Sequence, residues 1–252
     1  MKIISWNVNG LRSVYKKGFL GWLVKSDADI VCLQEVKADE EQLPFDLTTL
    51  TGYHTYFNSA KKKGYSGVGV YSRVKPLSVK RELGLERFDS EGRILQLEYK
   101  NFTLLNLYLP HGGRSKENLD YKLSVYNALF NHLNDFKEKS VVLAGDFNIA
   151  HKEIDLAHPQ QNKDNIMFTK EEREKLSSLI SLGFLDSFRR FNKEGGNYTW
   201  WPYGNNARQR NVGWRIDYIV ASKSLETKLQ SAAIYPKVLL SDHCPIEVVL
   251  NF

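Results

Sequence analysis

Seven polar side chains end or interrupt apolar runs along this chain. IISWN ends in Asn7, IVCLQE in Glu35, and VVLAGDFN in Asp146 and Asn148. SDHCPI carries Asp242 and His243 just before an apolar run, and WRIDYIV holds Asp217 inside one. A lone Asp after a strand is most often a turn former or a helix cap. A carboxylate in a buried strand is costly, however, unless it is paired, hydrogen-bonded or bound to metal. The same interruption in several different strands therefore points to convergence on one place. Glu, Asp and Asn offer hard oxygen ligands, and the set lacks the thiolates or paired histidines that favour zinc, so magnesium or manganese is the natural ion. Such an ion binds phosphate oxygens and offsets the charge that grows when a phosphodiester is attacked, while a carboxylate and an amide hold and deprotonate the attacking water. His243 is suited to stabilising a phosphoryl oxygen, with Asp217 accepting its other N–H and so fixing its tautomer.

These residues need strands to carry them, and β-branched and aromatic runs predict strands over Ile3–Val8, Asp29–Gln34, Tyr53–Asn58, Val68–Ser72 and Ile94–Tyr99. Five more follow, over Phe102–Leu109, Val141–Ala144, Tyr198–Trp201, Arg215–Ala221 and Ile246–Leu250. Leu119, Leu123, Tyr126, Phe130 and Leu133 recur at steps of three and four, which predicts one helix with that stripe facing the core. Thr169 and Glu172 form a capping box that starts a second helix, with Gly183 as its stop, and a shorter helix is predicted over Tyr15–Lys25. The turn between Tyr99 and Phe102 is too short for a crossover, so its strands are antiparallel and the sheets mixed. The expected class is α/β, mixed β-sheets covered by helices. No linker or repeat divides the 252 residues, so a single domain over 1–252 is expected.

Hydrophobic content of 42% and charged content of 25% exclude a disordered or fibrous chain. No apolar run approaches the roughly 18 residues of a membrane span, and MKIISWNVNGLR turns polar too soon for a secretory leader. A soluble cytoplasmic protein with no membrane partner is expected. Cys32 and Cys244 are read as reduced thiols, too few for a disulfide scaffold or a cysteine zinc site. The 35 basic against 29 acidic residues give a net charge of +6, compatible with a polyanionic partner.

ISWNVNGLR, CLQEVK, GYSGVGVYS, GDFNIAHKEIDL, NVGWRIDY and SDHCPI resemble, in that order, the motif series of the exonuclease III-type apurinic/apyrimidinic endonucleases. The resemblance runs from Lys2 to the C-terminus. It implies the endonuclease/exonuclease/phosphatase fold, a four-layer α/β sandwich of two packed mixed sheets flanked by helices. It also implies Glu35 as principal Mg²⁺ ligand (Mn²⁺ substituting), with Asn7, Asn9 and Asp242 nearby and Asp146, Asn148 and His243 around the same ion. Asp146 and Asn148 would orient and activate the water, with either Asp146 or Tyr108 as the formal base, while Tyr108 and His243, the latter supported by Asp217, would bind the scissile phosphate. The implied reaction cuts the backbone 5′ to an abasic site, leaving a 3′-hydroxyl and a 5′-deoxyribose phosphate, with some 3′-5′ exonuclease and 3′-phosphatase activity.

The implied partner is double-stranded DNA carrying abasic sites, bound by a monomer. A flipped baseless sugar would enter a small apolar pocket made by Trp200, Trp214 and Ile216. Gly213 and Arg215 place Trp214 on a surface turn, and Trp201 reads as core. Arg12, Lys16, Tyr65, Arg114, Asn162 and Asn165 match the family's backbone contacts, which position a duplex without reading its sequence. His111 stands where many relatives have a phosphate-contacting Asn, and Asn9 where some have Asp. A DNA phosphate beside His111 would raise its pKa and add a charged contact. The resemblance also leads us to expect no N-terminal extension of the kind some animal members carry. Two rivals remain at this stage. One is a phospholipid or phosphoinositide phosphodiesterase of the same superfamily, and the other a non-catalytic DNA-binding protein on the same scaffold.

Overall fold

A computed structural model describes residues 1–136 and 139–252. Two six-stranded mixed sheets pack face to face. The first contains β1 (Lys2–Asn7), β2 (Ile30–Gln34), β3 (His54–Asn58), β4 (Val68–Ser72), β11 (Leu229–Ile234) and β12 (Ile246–Leu250), in the order β11-β12-β1-β2-β4-β3. The second contains β5 (Ser78–Lys80), β6 (Ile94–Glu98), β7 (Thr103–Tyr108), β8 (Val141–Asp146), β9 (Phe184–Asp186) and β10 (Asp217–Ser222), in the order β5-β6-β7-β8-β10-β9. Each sheet has one parallel pair near its centre, β1 with β2 and β7 with β8. The turn after Tyr99 joins antiparallel strands, as its length requires.

The central strands are apolar on both faces because both are covered. In β2, Ile30 and Cys32 point between the sheets, while Val31 and Leu33 join the outer cluster with Leu11, Val14, Phe19, Leu23 and Leu47. Those partners come from α1 (Leu11–Lys16), α2 (Phe19–Ser26) and α3 (Phe45–Thr48). The second sheet is covered through α4 (Glu86–Ser90), α5 (Leu119–Leu133) and α6 (Lys170–Ser181), which contribute Phe88, Leu129 and Leu176 to one cluster. A last short helix, α7 (Ser187–Phe191), follows β9. Between the sheets the Gln34 amide donates to Asn106 Oδ1 at 2.7 Å and Ser5 Oγ at 3.0 Å, and Asn106 returns donors to Leu33 O and Gly69 O. This polar bridge, in which Gln34 Oε1 alone is buried without a partner, ties the two sheets together directly below the ends of β1 and β2. Gly145 in β8 allows β7 to approach, since a Cβ there would lie 1.9 Å from Leu107 O.

Several predicted elements differ. Tyr15–Lys25 is not one helix, because Gly18 at φ 99 ends α1 and starts α2. Tyr198–Trp201 forms no strand. Thr199 Oγ1 accepts from the backbone N–H groups of Ile216 and Asp217, leaving only isolated bridges from Trp200 to Trp214 and His243. The helix expected at Leu119–Leu133 is present, but its buried face is Lys122, Val125, Tyr126, Leu129 and Leu133, so Leu119, Leu123 and Phe130 are only partly covered. Thr169 and Glu172 do cap α6. Both cysteines are buried and free, and no helix among the described residues is long and apolar enough to cross a membrane.

Candidate active site

The carboxyl ends of β1, β2, β7 and β8 open on the same edge of the sandwich, where β10 begins and the Ser241–Pro245 loop leads into β12. Asn7 at the end of β1 donates its side-chain amide to Glu35 Oε1 at 2.8 Å and to Asp146 Oδ2 at 2.9 Å, so one buried amide clamps carboxylates from the two sheets. Its own Oδ1 accepts from the Asn9 backbone. Asp146 Oδ1 accepts from Asn148 N at 2.8 Å, and Asn148 Nδ2 is held on Leu109 O. His243 Nδ1 meets Asp217 Oδ2 at 2.9 Å, which leaves Nε2 to face the site. Asn9, Glu35, Lys37 and Asn148 all have left-handed backbone, at φ 46, 52, 53 and 51. Non-glycine residues adopt that conformation only at a cost, and here it aims side chains from strand ends into one space.

Ligand atoms of Glu35, Asp146 and His243 lie within 4.8 Å of one another. Of the other residues expected at an ion, Asn7 and Asn148 bond directly to members of this cluster. Asn9 and Asp242 form an outer pair, Asn9 Nδ2 donating to Asp242 Oδ1 at 2.9 Å. Trp200 Nε1 donates to the other oxygen of Asp242. The donor set fits a hard divalent cation. It is rich in oxygen, one Asp217 oxygen is buried without a partner, and Asp146 faces Asp217 across the β8–β10 ladder.

Electrostatics assign complementary protonation states. Burial and the Asp217 charge push the Asp146 carboxyl up to about 7, against the opposing pull of His243 and the Asn7 bond. Burial disfavours charge on His243, but Asp217 overcomes it through charge and hydrogen bond, aided by Asp146 and Asp242, and raises the imidazole to about 10. Burial would also raise Glu35, yet Lys37, 2.7 Å from Oε2, holds it below the usual range with help from Asn7. Asp242 is likewise held low, since His243 and the bonds from Asn9 and Trp200 outweigh burial. Burial and the Glu35 charge push the Tyr108 phenol well above its ordinary value.

Trp214 and Ile216 pack with Leu156, Ile166, Met167 and Phe168, and half-buried Trp200 lies against them with its ring centroid 6.3 Å from that of His243. The three predicted pocket residues are thus together beside the imidazole. The expected surface turn at Gly213 and Arg215 is corrected. Trp214 is 8% exposed and Arg215 only 1%, because the guanidinium pairs with Asp155 at 2.8 Å and Asp186 at 2.7 Å. Trp201 is core, packed on Tyr198 and Cys244.

Arg12 and Lys16 are exposed on α1 and line a groove with Lys37, which touches Glu35. Arg114 is exposed, and Tyr65 is half-buried with its hydroxyl accepting from Arg93. The Asn162 and Asn165 amides are engaged inside their own loop, Asn165 donating to Asn162 and Asn162 to Ala157 O and His158 O. His111 is half-buried, with its pKa lowered by burial and by the Lys122 and Arg114 charges. The raised value expected for it belongs to the DNA complex, where a phosphate would have to overcome these effects. Sequence reasoning missed Lys37 and Arg93, whose guanidinium sits 4.4 Å from the Tyr108 ring and donates to Tyr108 O. A cation two residues beyond Glu35 was the only signal available for Lys37.

Comparison with known proteins agrees with this geometry. The family model described as Endonuclease/Exonuclease/phosphatase family matches residues 4–243. An exodeoxyribonuclease of Bacillus subtilis is 45% identical over 100% of both chains, and a DNA repair nuclease of Danio rerio 44% identical over 99% of this chain and 82% of its own. The solved AP endonuclease of Archaeoglobus fulgidus superposes with a TM-score of 0.92 at 29% identity, covering 100% of each chain. With strand ends, imidazole and carboxylates in one arrangement and the match spanning nearly its whole length, the chain belongs to the Endonuclease/Exonuclease/phosphatase family.

Proposed function

We propose that this protein is a DNA repair nuclease that hydrolyses the backbone 5′ to an abasic site, leaving a 3′-hydroxyl and a 5′-deoxyribose phosphate. We also propose that residues 1–252 act as one monomeric catalytic domain that also trims 3′ ends. The observation that carries the reading is the grouping of Glu35, Asp146 and His243 within 4.8 Å beside an apolar wall of Trp200, Trp214 and Ile216. The names of its relatives, an exodeoxyribonuclease, a DNA repair nuclease and an AP endonuclease, favour DNA over a phospholipid substrate. The retained acidic and imidazole groups favour an enzyme over a passive binder.

Glu35, with Asp146, His243 and the Asn9–Asp242 pair around it, would hold Mg²⁺ or Mn²⁺, which when bound offsets charge developing on the phosphoryl oxygens. The remaining work falls to side chains. Asp146, close to neutrality in its proton affinity, accepts the proton of the attacking water. Asn148 orients that water. His243, protonated by virtue of Asp217, donates from Nε2 to a non-bridging phosphate oxygen as its charge grows. Burial and the Glu35 charge favour the neutral Tyr108 phenol, whose hydroxyl is suited to donating to a phosphate oxygen. The apolar wall accepts a bare sugar and excludes one that carries a base.

The test is incision of a duplex carrying an abasic analogue against an intact duplex, each in Mg²⁺, in Mn²⁺ and in chelator. Strand scission confined to the abasic duplex and abolished by chelator is expected. Equal cutting of both duplexes overturns the abasic assignment. Binding without scission in either metal overturns the enzyme, and hydrolysis of a phosphoinositide but not DNA restores the lipid reading.

A further inference from the structure

We propose that Lys122 and Glu172 are positioning residues for this reaction, their buried ion pair holding the Asn148 turn in the geometry that orients the attacking water. The proposal rests on the role given to Asn148 above.

Both side chains are fully buried, 0% exposed, on the faces that α5 and α6 turn inward. A fully buried ammonium on the same helix face as Val125, Tyr126 and Leu129 is expensive, and an aliphatic residue could fill the same space at no electrostatic cost. What a lysine adds is three donors. All three are used: Nζ donates to Glu172 Oε1 at 2.5 Å, to the Asn148 carbonyl at 2.6 Å and to the His111 carbonyl at 3.1 Å. Glu172 in turn accepts from Met167 N and Thr169 N, so the pair ties together three loops that border the site.

The Asn148 carbonyl is one of three in a row that buried side chains hold from beneath. Tyr126 Oη donates to Phe147 O at 2.6 Å, Lys122 to Asn148 O, and Tyr218 Oη to Ile149 O at 2.8 Å. Lys122 and Tyr126 lie one helical turn apart on the buried face of α5, so both reach this segment. Above this row Asn148 keeps its left-handed φ of 51, its backbone N–H on Asp146 and its amide on Leu109 O. Remove the ammonium and the Asn148 carbonyl is buried without a donor. The turn would then relax toward water, carrying the side chain off its line. A shift of about an ångström at a reacting group costs on the order of 100-fold in rate.

The decisive experiment measures single-turnover scission at saturating abasic duplex and, separately, duplex affinity in chelator. Lys122→Met is expected to lower the rate roughly 10- to 100-fold per folded molecule while affinity stays within about threefold. Because Lys122→Met leaves Glu172 unpaired, Lys122→Met/Glu172→Gln serves as the variant that restores neutrality, and Tyr126→Phe removes a donor of the row without touching charge. A purely structural pair predicts that the neutral double variant regains full rate along with its melting temperature, which would overturn the proposal. Asn148→Ala supplies the control. If the residues act through Asn148, adding Lys122→Met to Asn148→Ala costs little more, whereas multiplying losses would overturn it. An Asn148→Ala enzyme with full rate removes the reading of Asn148 and the proposal together. A crippled Asn148→Ala enzyme beside a full-rate Lys122→Met removes the proposal alone.

Discussion

Asp146 and Asp155 lie nine residues apart, each 1% exposed, and their carboxyls are driven in opposite directions. Asp155 sits between two guanidinium groups, Arg189 at 2.5 Å and Arg215 at 2.8 Å, and their charges outweigh burial to hold its pKa below the ordinary value. Asp146 has the His243 imidazole, a neutral amide and a backbone N–H against it, but burial and the Asp217 and Glu35 charges outweigh them and push it up to about 7. Burial is common to both sites, so burial does not mark function. Built-in countercharge does separate them. The Asp155 cluster is closed, whereas the Asp146 cluster has more anionic groups than cations and awaits a positive charge from outside.

Exchanging each carboxylate for its amide breaks this comparison most severely. Asp146→Asn is expected to lower the single-turnover rate by about 1,000-fold or more while leaving duplex affinity and melting temperature unchanged or slightly raised, because it removes a repelled buried charge. Asp155→Asn is expected to do the reverse. Leaving Arg189 and Arg215 without their shared partner should cost about 3–5 kcal/mol of stability in urea unfolding, with the rate per folded molecule retained. Equal stability losses in the two variants would erase the distinction between open and closed clusters.

The second test concerns the imidazolium inside the open cluster. With its pKa raised from 6.5 to about 10, His243 contributes stability that is fully present below pH 6.5 and lost as pH rises through about 10. Asp217→Asn removes the main cause of that shift. In chelator the variant should lose stability relative to the parent below pH 6.5, with the gap closing toward pH 10. In Mg²⁺ the alkaline limb of the scission profile should move toward neutrality. A profile of unchanged shape would show that the imidazole does not act as a charged donor.

Legibility in the sequence follows the same divide. Glu35, Asp146, Asp217 and His243 are legible because each ends or interrupts an apolar run, and β4 and β12 match their expected bounds because both are short runs rich in β-branched and aromatic residues. The edge strands β5 and β9, three residues each, are too short to show a period, and β11 reads LQSAAI with little β-branched content. Thr199 removed a predicted strand by a side-chain bond that no alternation rule contains. The ion pairs of Arg215 with Asp155 and of Lys122 with Glu172 are not legible in the sequence because the partners lie far along the chain. Lys122 and Glu172 are 50 residues apart and Arg215 and Asp155 60. Within its own helix Lys122 simply looks like a break in a stripe.

A smaller effect is expected at the apolar wall. Trp214 packs edge-on against Phe168 and borders the site without bonding to its charged groups. Trp214→Ala should lower the preference for abasic over intact duplex about 10-fold, since shape alone excludes the base. Measuring both substrates on one preparation separates this from lost packing, which would slow both by the same factor.

The smallest effect is expected at His111, which belongs to both kinds of region. Its carbonyl accepts from Lys122, a scaffold contact, while its ring is only half-buried. Burial and the neighbouring Lys122 and Arg114 charges lower its pKa, so in the DNA-free protein the imidazole is neutral at pH 7 and can donate a single hydrogen bond. A DNA phosphate at this position would have to overcome those cations before the ring charged. His111→Asn keeps the backbone carbonyl and one amide donor, so the Lys122 contact survives. Affinity for a cleavage-resistant abasic duplex in chelator should therefore match the parent above pH 7. Below pH 6 it should fall by no more than about threefold, where the parent ring gains a proton in the complex and adds a charge-assisted contact. The salt dependence of binding should flatten slightly over the same acidic range and nowhere else. A parent-to-variant ratio constant across that range would assign the ring wholly to the scaffold. A large loss at every pH would mean that the neutral ring makes a contact an asparagine cannot replace.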